Sequence, residues 1–151
     1  MSLKTWKAEF YPKPPRKRMT KREAIEHSLR KWKGLRGKAL QRHKVAISVD
    51  AVIDARDLDL VVREQDCLEI DMDSCALCAK YFNEEGYSFL SEEDSSCDKC
   101  PLAKLLGTSC DNRGGPYRTW RDTGDPEPMI RALKALLASC GSSGKKNPAA
   151  R

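Results

Sequence analysis

Long apolar segments are missing from this chain of 151 residues. A membrane-spanning helix needs roughly 20 consecutive apolar residues, whereas the apolar runs here extend over only a few positions. The first ten residues, MSLKTWKAEF, lack the apolar core of a secretory signal peptide. We therefore expect a cytoplasmic protein with no membrane partner, and its seven cysteines are expected to be reduced thiols.

Histidine is also scarce, since the chain contains only His27 and His43. Neither has the spacing of a metal ligand relative to the cysteines, and we expect both to be exposed or to add to the basic surface. A zinc nuclease or a cysteine hydrolase needs a base beside its metal or thiol. The sequence therefore favours a non-enzymatic protein with no evident small-molecule substrate, and a zinc-containing nuclease remains the enzymatic alternative.

Charges of the two signs are concentrated in different parts of the chain. Residues 1–45 contain 15 basic and 3 acidic residues, a balance of +12. Residues 46–98 contain 3 basic and 15 acidic residues, a balance of −12, and residues 99–151 return to +6. Such segregated charge predicts surfaces that bind a nucleic acid or a host protein. Alternatively, the blocks neutralise each other within the fold or keep the protein soluble.

The basic block divides into an arm and a pair of helices. Pro12, Pro14 and Pro15 predict an extended basic arm over residues 1–19, which its aromatic residues attach to the domain surface. The capping-box sequence from Thr20 to Glu23 predicts a helix that ends at Gly34. A second short helix is expected from about Gly37 to Arg42, completing a basic helix or helical hairpin over residues 20–44. The candidate partner-binding residues are Arg16, Lys17, Arg18, Lys21, Arg22, Arg30, Lys31, Lys33, Arg36 and Lys38.

Alternating apolar and polar residues replace the helical pattern over residues 45–73. Three such runs, at 45–49, 57–62 and 68–73, predict a three-stranded antiparallel meander with an acidic solvent face. Asp125 and the following apolar stripe predict a C-terminal helix over residues 125–140. The expected fold is therefore a single α+β domain over residues 20–141, followed by a disordered tail at 142–151.

Two cysteine pairs give the clearest chemical signal. Cys75 and Cys78 are followed by Cys97 and Cys100, which gives the spacing C-x2-C-x18-C-x2-C of a four-thiolate zinc site. A closed set of four ligands is typical of a structural zinc ion, and we place this zinc module at residues 74–110. Cys110 is a possible substitute ligand. Because a proline follows Cys100, an iron–sulfur cluster is the alternative cofactor.

The order of motifs carries a family resemblance. The segments TKREAIEHSLRKWKGL, DSCALC, CDKCPLAKLLGTSC, YRTW and DTGDPEPMI resemble those of a group of short bacteriophage and prophage proteins. The resemblance implies an accessory protein made in the bacterial host cytoplasm that binds, and in some cases inhibits, a host macromolecule. It supplies no reaction and no catalytic residues. An assembly component of a larger particle is a further alternative, and the oligomeric state stays open.

Overall fold

The structure is a computed structural model that describes residues 2–49, 67–70, 75–82 and 97–141. These residues form seven helices and two short strands. The helices are α1 (Leu3–Phe10), α2 (Lys21–Gly34), α3 (Gly37–His43), α4 (Ala76–Tyr81), α5 (Pro101–Leu106), α6 (Pro116–Thr123) and α7 (Glu127–Gly141). The strands are β1 (Ala46–Val49) and β2 (Cys67–Ile70). None of the described helices is long and apolar enough to cross a membrane.

Helix α2 is the central element of the fold. The predicted capping box is confirmed: the Thr20 hydroxyl accepts the Glu23 amide at 3.2 Å, and the Glu23 carboxylate accepts the Thr20 amide at 2.7 Å. The helix packs against α1, α3, α4 and α7. Its predicted apolar face is buried, as expected from the helical spacing of these residues. That face consists of Ala24, Ile25, Ser28, Leu29 and Trp32.

The N-terminal segment differs from the predicted extended arm because residues Leu3–Phe10 form α1. Ser2 and Thr5 cap this helix reciprocally, and the prolines begin only after it ends. The indole of Trp6 is fully buried, and its N–H donates to the carbonyl of Gly34 at 2.8 Å. The expected attachment of the segment by aromatic residues is therefore confirmed, but a capped helix provides it.

The predicted α+β fold with a three-stranded antiparallel meander is wrong. The described residues are mainly helical, and β1 and β2 pair in parallel with Ala46 opposite Cys67. The alternation of apolar and polar residues indicates strands but carries no information on their direction, which depends on the connection between them. Residues 50–66, which include the predicted central strand at 57–62, lie outside the described residues, as does the tail at 142–151.

Three helices form the C-terminal part of the described chain. Helix α5 begins at Pro101 and ends before Gly107, whose φ of 73° is the left-handed conformation typical of a helix end. Asp125 accepts the amide of Glu127 at 3.0 Å, at the start of α7. This last helix packs on α2, α5 and α6. Its buried face, as the sequence predicts, consists of Met129, Ile130, Leu133 and Leu136.

Candidate metal centre

A cavity of about 40 Å³ lies between α2, α4, α5 and α7. Five cysteines from three separate segments line it, together with apolar side chains of the surrounding helices. They are the four predicted ligands and the predicted substitute: Cys75, Cys78, Cys97, Cys100 and Cys110. The fold therefore brings together around one cavity the thiols that the sequence singles out. Cys140 is absent from the cavity wall and packs partly buried against the core.

The first cysteine pair is placed by the start of α4. Cys75 occupies the position just before the helix, and Cys78 lies in its first turn. The backbone amides of Leu77 and Cys78 donate to the Cys75 sulfur, because the first amides of a helix have no partner within the helix. The two sulfurs also contact each other through a hydrogen bond from the Cys78 thiol.

The second pair has a related arrangement at the start of α5. The amide of Cys100 donates to the carbonyl of Cys97 at 2.9 Å, which closes a tight turn. Cys100 precedes α5, and the amides of Leu102 and Ala103 donate to its sulfur. The Ser109 hydroxyl lies 3.6 Å from the Cys97 sulfur and donates to it. In each cysteine pair, one sulfur therefore accepts hydrogen bonds from amides at the start of a helix.

Cys110 is held by the start of α6. Its carbonyl accepts the amides of Tyr117 at 3.0 Å and Arg118 at 3.3 Å. Gly115 makes this close approach possible, since a Cβ atom there would lie 2.3 Å from the Cys110 carbonyl oxygen. The backbone of the fifth cysteine is therefore fixed beside the cavity.

The environment of the thiols separates their pKa values. The hydrogen bond from Cys78, with a further contribution from the Lys31 ammonium, lowers the pKa of Cys75 to about 5. The same hydrogen bond, together with burial, raises the pKa of Cys78. Burial is the main cause that raises the pKa values of Cys100 and Cys110. These directions favour a thiolate at Cys75 and neutral thiols at Cys78, Cys100 and Cys110.

Two polar side chains of α2 also face the cavity. Lys31 is 2% exposed and Ser28 is 1% exposed, and both line the cavity wall. The Ser28 hydroxyl has no hydrogen-bond partner among the described residues. Lys31 was predicted to bind a partner through a solvent-exposed basic surface, and its burial removes it from that surface. Its position three residues after Ser28, beside the apolar stripe, is the sequence signal that places it on the inner face.

The other nine predicted partner-binding residues lie outside the cavity wall. Three of them have intramolecular partners: Arg22 pairs with Glu26, Arg36 pairs with Glu127, and Arg30 donates to the carbonyl of Glu9. The remaining six are exposed, and no carboxylate of the described residues pairs with them. They are Arg16, Lys17, Arg18, Lys21, Lys33 and Lys38.

Both histidines form hydrogen bonds with residues of the N-terminal segment. His43, predicted to be exposed, is buried at 3% exposure, with its Nε2 atom 2.8 Å from a Glu9 carboxylate oxygen. Glu9 also pairs with Arg42, and although desolvation opposes its ionisation, these partners hold the pKa of the Glu9 carboxyl below its usual value. His27 is half-buried, and its Nε2 atom lies 2.7 Å from the carbonyl of Lys13. Neither histidine lines the cysteine cavity.

Within the described ranges, no group of three or more His, Cys, Asp or Glu side chains is arranged to hold a metal ion. Comparisons of the chain with models of protein families, with curated proteins and with solved structures found no match. The function is therefore argued from the chemistry of the cavity and of the charged surface.

Proposed function

We propose that this chain is a non-enzymatic nucleic-acid-binding protein of the phage accessory type, whose helical domain is stabilised by one structural zinc ion. The observation that carries the zinc proposal is the convergence of five cysteines, from three segments of the chain, on one cavity. Cys75, Cys78, Cys97 and Cys100 are the preferred ligands, and Cys110 is the substitute.

The donor set suits zinc. Four thiolates at about 2.3 Å form the tetrahedron of a structural zinc site, and amides at the starts of α4 and α5 already donate to two of the sulfurs. Binding moves the cysteine side chains inward from the cavity wall. Because each thiol must lose its proton to bind, the ion reverses the effect of burial on the thiol pKa values.

The size of the cavity favours a single ion over an iron–sulfur cluster. A volume of about 40 Å³ holds a few water-sized spheres, which is sufficient for one ion. A cluster of several iron and sulfide atoms occupies more space than one ion. Zinc is therefore the preferred cofactor, and a bound cluster is the alternative that metal analysis tests.

The exposed cations support a polyanionic partner. Residues 1–45 contain only three carboxylates, Glu9, Glu23 and Glu26, and each is engaged within this segment. Of the cations, the run from Arg16 to Arg18 precedes α2 directly, and Lys21 lies in its first turn. Lysine and arginine at such positions release condensed counterions when they contact phosphates, which favours a nucleic acid over a protein as partner.

The enzymatic alternative has less support from the cavity. A nuclease needs an open metal position and a base near it, whereas the proposed centre fills all four positions with sulfur. His27 and His43 both hydrogen-bond outside the cavity. The proposed zinc therefore acts on stability, and recognition takes place on the surface.

Metal analysis of the purified protein tests the zinc centre. We expect one zinc per chain by native mass spectrometry, seen as a mass increase of one zinc less the two protons that its charge replaces. Single Cys→Ser variants at Cys75, Cys78, Cys97 and Cys100 are expected to lose the metal, whereas Cys140→Ser is the control that retains it. If Cys110→Ser loses zinc, and one of the four preferred ligands can be replaced without loss of zinc, then Cys110 is a ligand in place of that residue. Iron and visible absorbance would contradict zinc.

A salt titration tests nucleic-acid binding. A triple alanine variant of Arg16, Lys17 and Arg18 removes up to three phosphate contacts, so the slope of log K against log salt on duplex DNA should decrease by about 2.7. The control removes three positive charges elsewhere, at Lys104, Arg131 and Lys134, and should leave the slope unchanged. If the wild-type protein binds neither DNA nor RNA at low salt, nucleic acid is excluded and a protein partner takes its place.

A further inference from the structure

Helix α2 places a cationic and a hydroxyl-bearing side chain in the wall of the cysteine cavity. Ser28 and Lys31 are separated by three positions, so they lie on the same face of the helix. Both are almost completely buried, although serine and lysine are mostly exposed in globular proteins. Neither residue belongs to the cysteine motif, and the zinc proposal alone does not account for them.

Burial of these two groups is unfavourable unless the cavity supplies compensating interactions. An ammonium group loses its hydration when it is buried, and a hydroxyl without an acceptor loses its hydrogen bonds to water. The Ser28 hydroxyl has no partner among the described residues. Lys31 lines the same cavity wall as the five cysteines. The unpartnered Ser28 hydroxyl therefore indicates that this cavity receives a hydrogen-bond acceptor, and Lys31 places a positive charge in the same wall.

A zinc ion bound to four thiolates provides both. Two positive charges on zinc and four negative charges on sulfur leave a net charge of −2 in a buried site, which needs nearby compensation. One lysine reduces that charge to −1. The thiolate sulfurs also accept hydrogen bonds, so a hydroxyl in the cavity wall gains an acceptor when the metal is bound.

We infer that Lys31 and Ser28 are positioning residues of the metal centre, which stabilise the bound tetrathiolate through the Lys31 charge and a hydrogen bond from the Ser28 hydroxyl. This inference rests on the proposed zinc site and extends it to residues outside the cysteine motif. Outer partners of metal ligands typically contribute a factor of 10 to 100 in metal affinity. Helix α2 therefore joins the apolar core to the metal centre.

The test compares zinc affinities, measured by competition with a chromophoric chelator, for full-length variants. Lys31→Met removes the charge but keeps a long side chain, and we expect zinc to bind roughly 10- to 100-fold more weakly. Lys31→Arg keeps the charge and should recover most of the affinity. Ser28→Ala should bind about tenfold more weakly. The matched control is Lys33→Met, on the exposed side of the same helix, with unchanged affinity.

A second readout separates charge from packing. The cobalt-substituted protein has a sulfur-to-metal charge-transfer band, whose energy responds to charge and hydrogen bonds at sulfur. Lys31→Met and Ser28→Ala should shift this band, whereas Lys33→Met should not. If Lys31→Met binds zinc as tightly as the wild type, or if Lys31→Arg is as weak as Lys31→Met, the charge role of Lys31 is refuted.

The zinc affinities of the wild type and the variants separate failure of this inference from failure of the zinc site. A wild-type protein that binds no zinc refutes the metal centre, and the roles of Lys31 and Ser28 with it. A wild-type protein that binds zinc with the same affinity as both Lys31→Met and Ser28→Ala refutes only the role of α2. If Lys31→Met does not fold, as judged by circular dichroism, Ser28→Ala decides the matter, because it removes a single oxygen atom. Unchanged affinity and an unchanged cobalt spectrum in that variant overturn the inference.

Discussion

Replacing Trp6 by alanine tests whether α1 is part of the folded core. The indole is fully buried and donates its N–H to the Gly34 carbonyl at 2.8 Å. It also lies against the ring of Phe10, with 5.7 Å between the ring centroids. Truncation of a buried tryptophan to alanine typically costs about 3–5 kcal/mol. Because a domain of this size is stable by about 5–15 kcal/mol, Trp6→Ala should remove a large part of the free energy of unfolding.

Two further variants divide that effect into its parts. Trp6→Phe keeps an aromatic ring but leaves the Gly34 carbonyl without its donor, so we expect a loss of about 1–3 kcal/mol. Lys7→Ala, at an exposed position of the same helix, should change stability by no more than about 0.5 kcal/mol. Urea unfolding followed by circular dichroism, with zinc present throughout, measures all three. A loss below about 1 kcal/mol in Trp6→Ala would show that residues 1–19 behave as the extended arm that their prolines predict.

Three other predictions concern Gly115, the proposed zinc ion and the ion pairs of two glutamates. Gly115→Ala places a Cβ atom 2.3 Å from the Cys110 carbonyl oxygen, so it should lower the free energy of unfolding by about 1–3 kcal/mol. The control in the same urea assay is Gly37→Ala, whose Cβ atom meets no atom within 4 Å. Removal of zinc by a chelator should lower the thermal unfolding midpoint, and added zinc should restore it, because metal binding and folding are coupled. Hydrogen bonds and ion pairs with His43, Arg42 and Arg36 hold the pKa values of the Glu9 and Glu127 carboxyls below their ordinary value. The stability from these pairs is therefore present above the ordinary pKa and is lost as the pH falls through the folded pKa values. The unfolding midpoint should decline less steeply below pH 4.5 in a Glu9→Gln, Glu127→Gln variant than in the wild type, and equal slopes would contradict a role for these pairs.

Elements with local stop and start signals could be predicted from the sequence. Thr20 and Glu23 determine where α2 begins, through side-chain hydrogen bonds to amides only three residues away. Pro101 and Gly107 bound α5 because their backbone preferences act within a single turn. The closeness of the two sulfurs within each cysteine pair was predictable for a similar reason, since a C-x2-C turn brings them to one side of the chain. The meeting of both pairs with Cys110 at one cavity depends on tertiary contacts between the helices.

Elements determined by distant contacts could not be predicted in this way. The pairing direction of β1 and β2 depends on the path of the chain between them, and alternation of side chains is the same in parallel and antiparallel strands. The burial of Lys31 depends on which helices cover α2, and a lysine is seldom found inside a protein. His43 is buried because α1 folds over α3 and brings Glu9 to it.

Helix α2 contributes side chains both to the wall of the cysteine cavity and to the charged surface. Its inner face carries the apolar stripe together with Ser28 and Lys31, whereas Lys21 and Lys33 lie exposed on the same helix. The cavity cysteines come from segments far along the chain from α2, so a bound zinc would hold α4 and α5 against this helix at a fixed distance. The proposed zinc ion would add to the stability of α2 and would thereby fix the backbone that presents the exposed lysines. The cysteine motif and the basic segment are then two parts of one arrangement, because the same helix carries the inner wall of the centre and part of the outer charge.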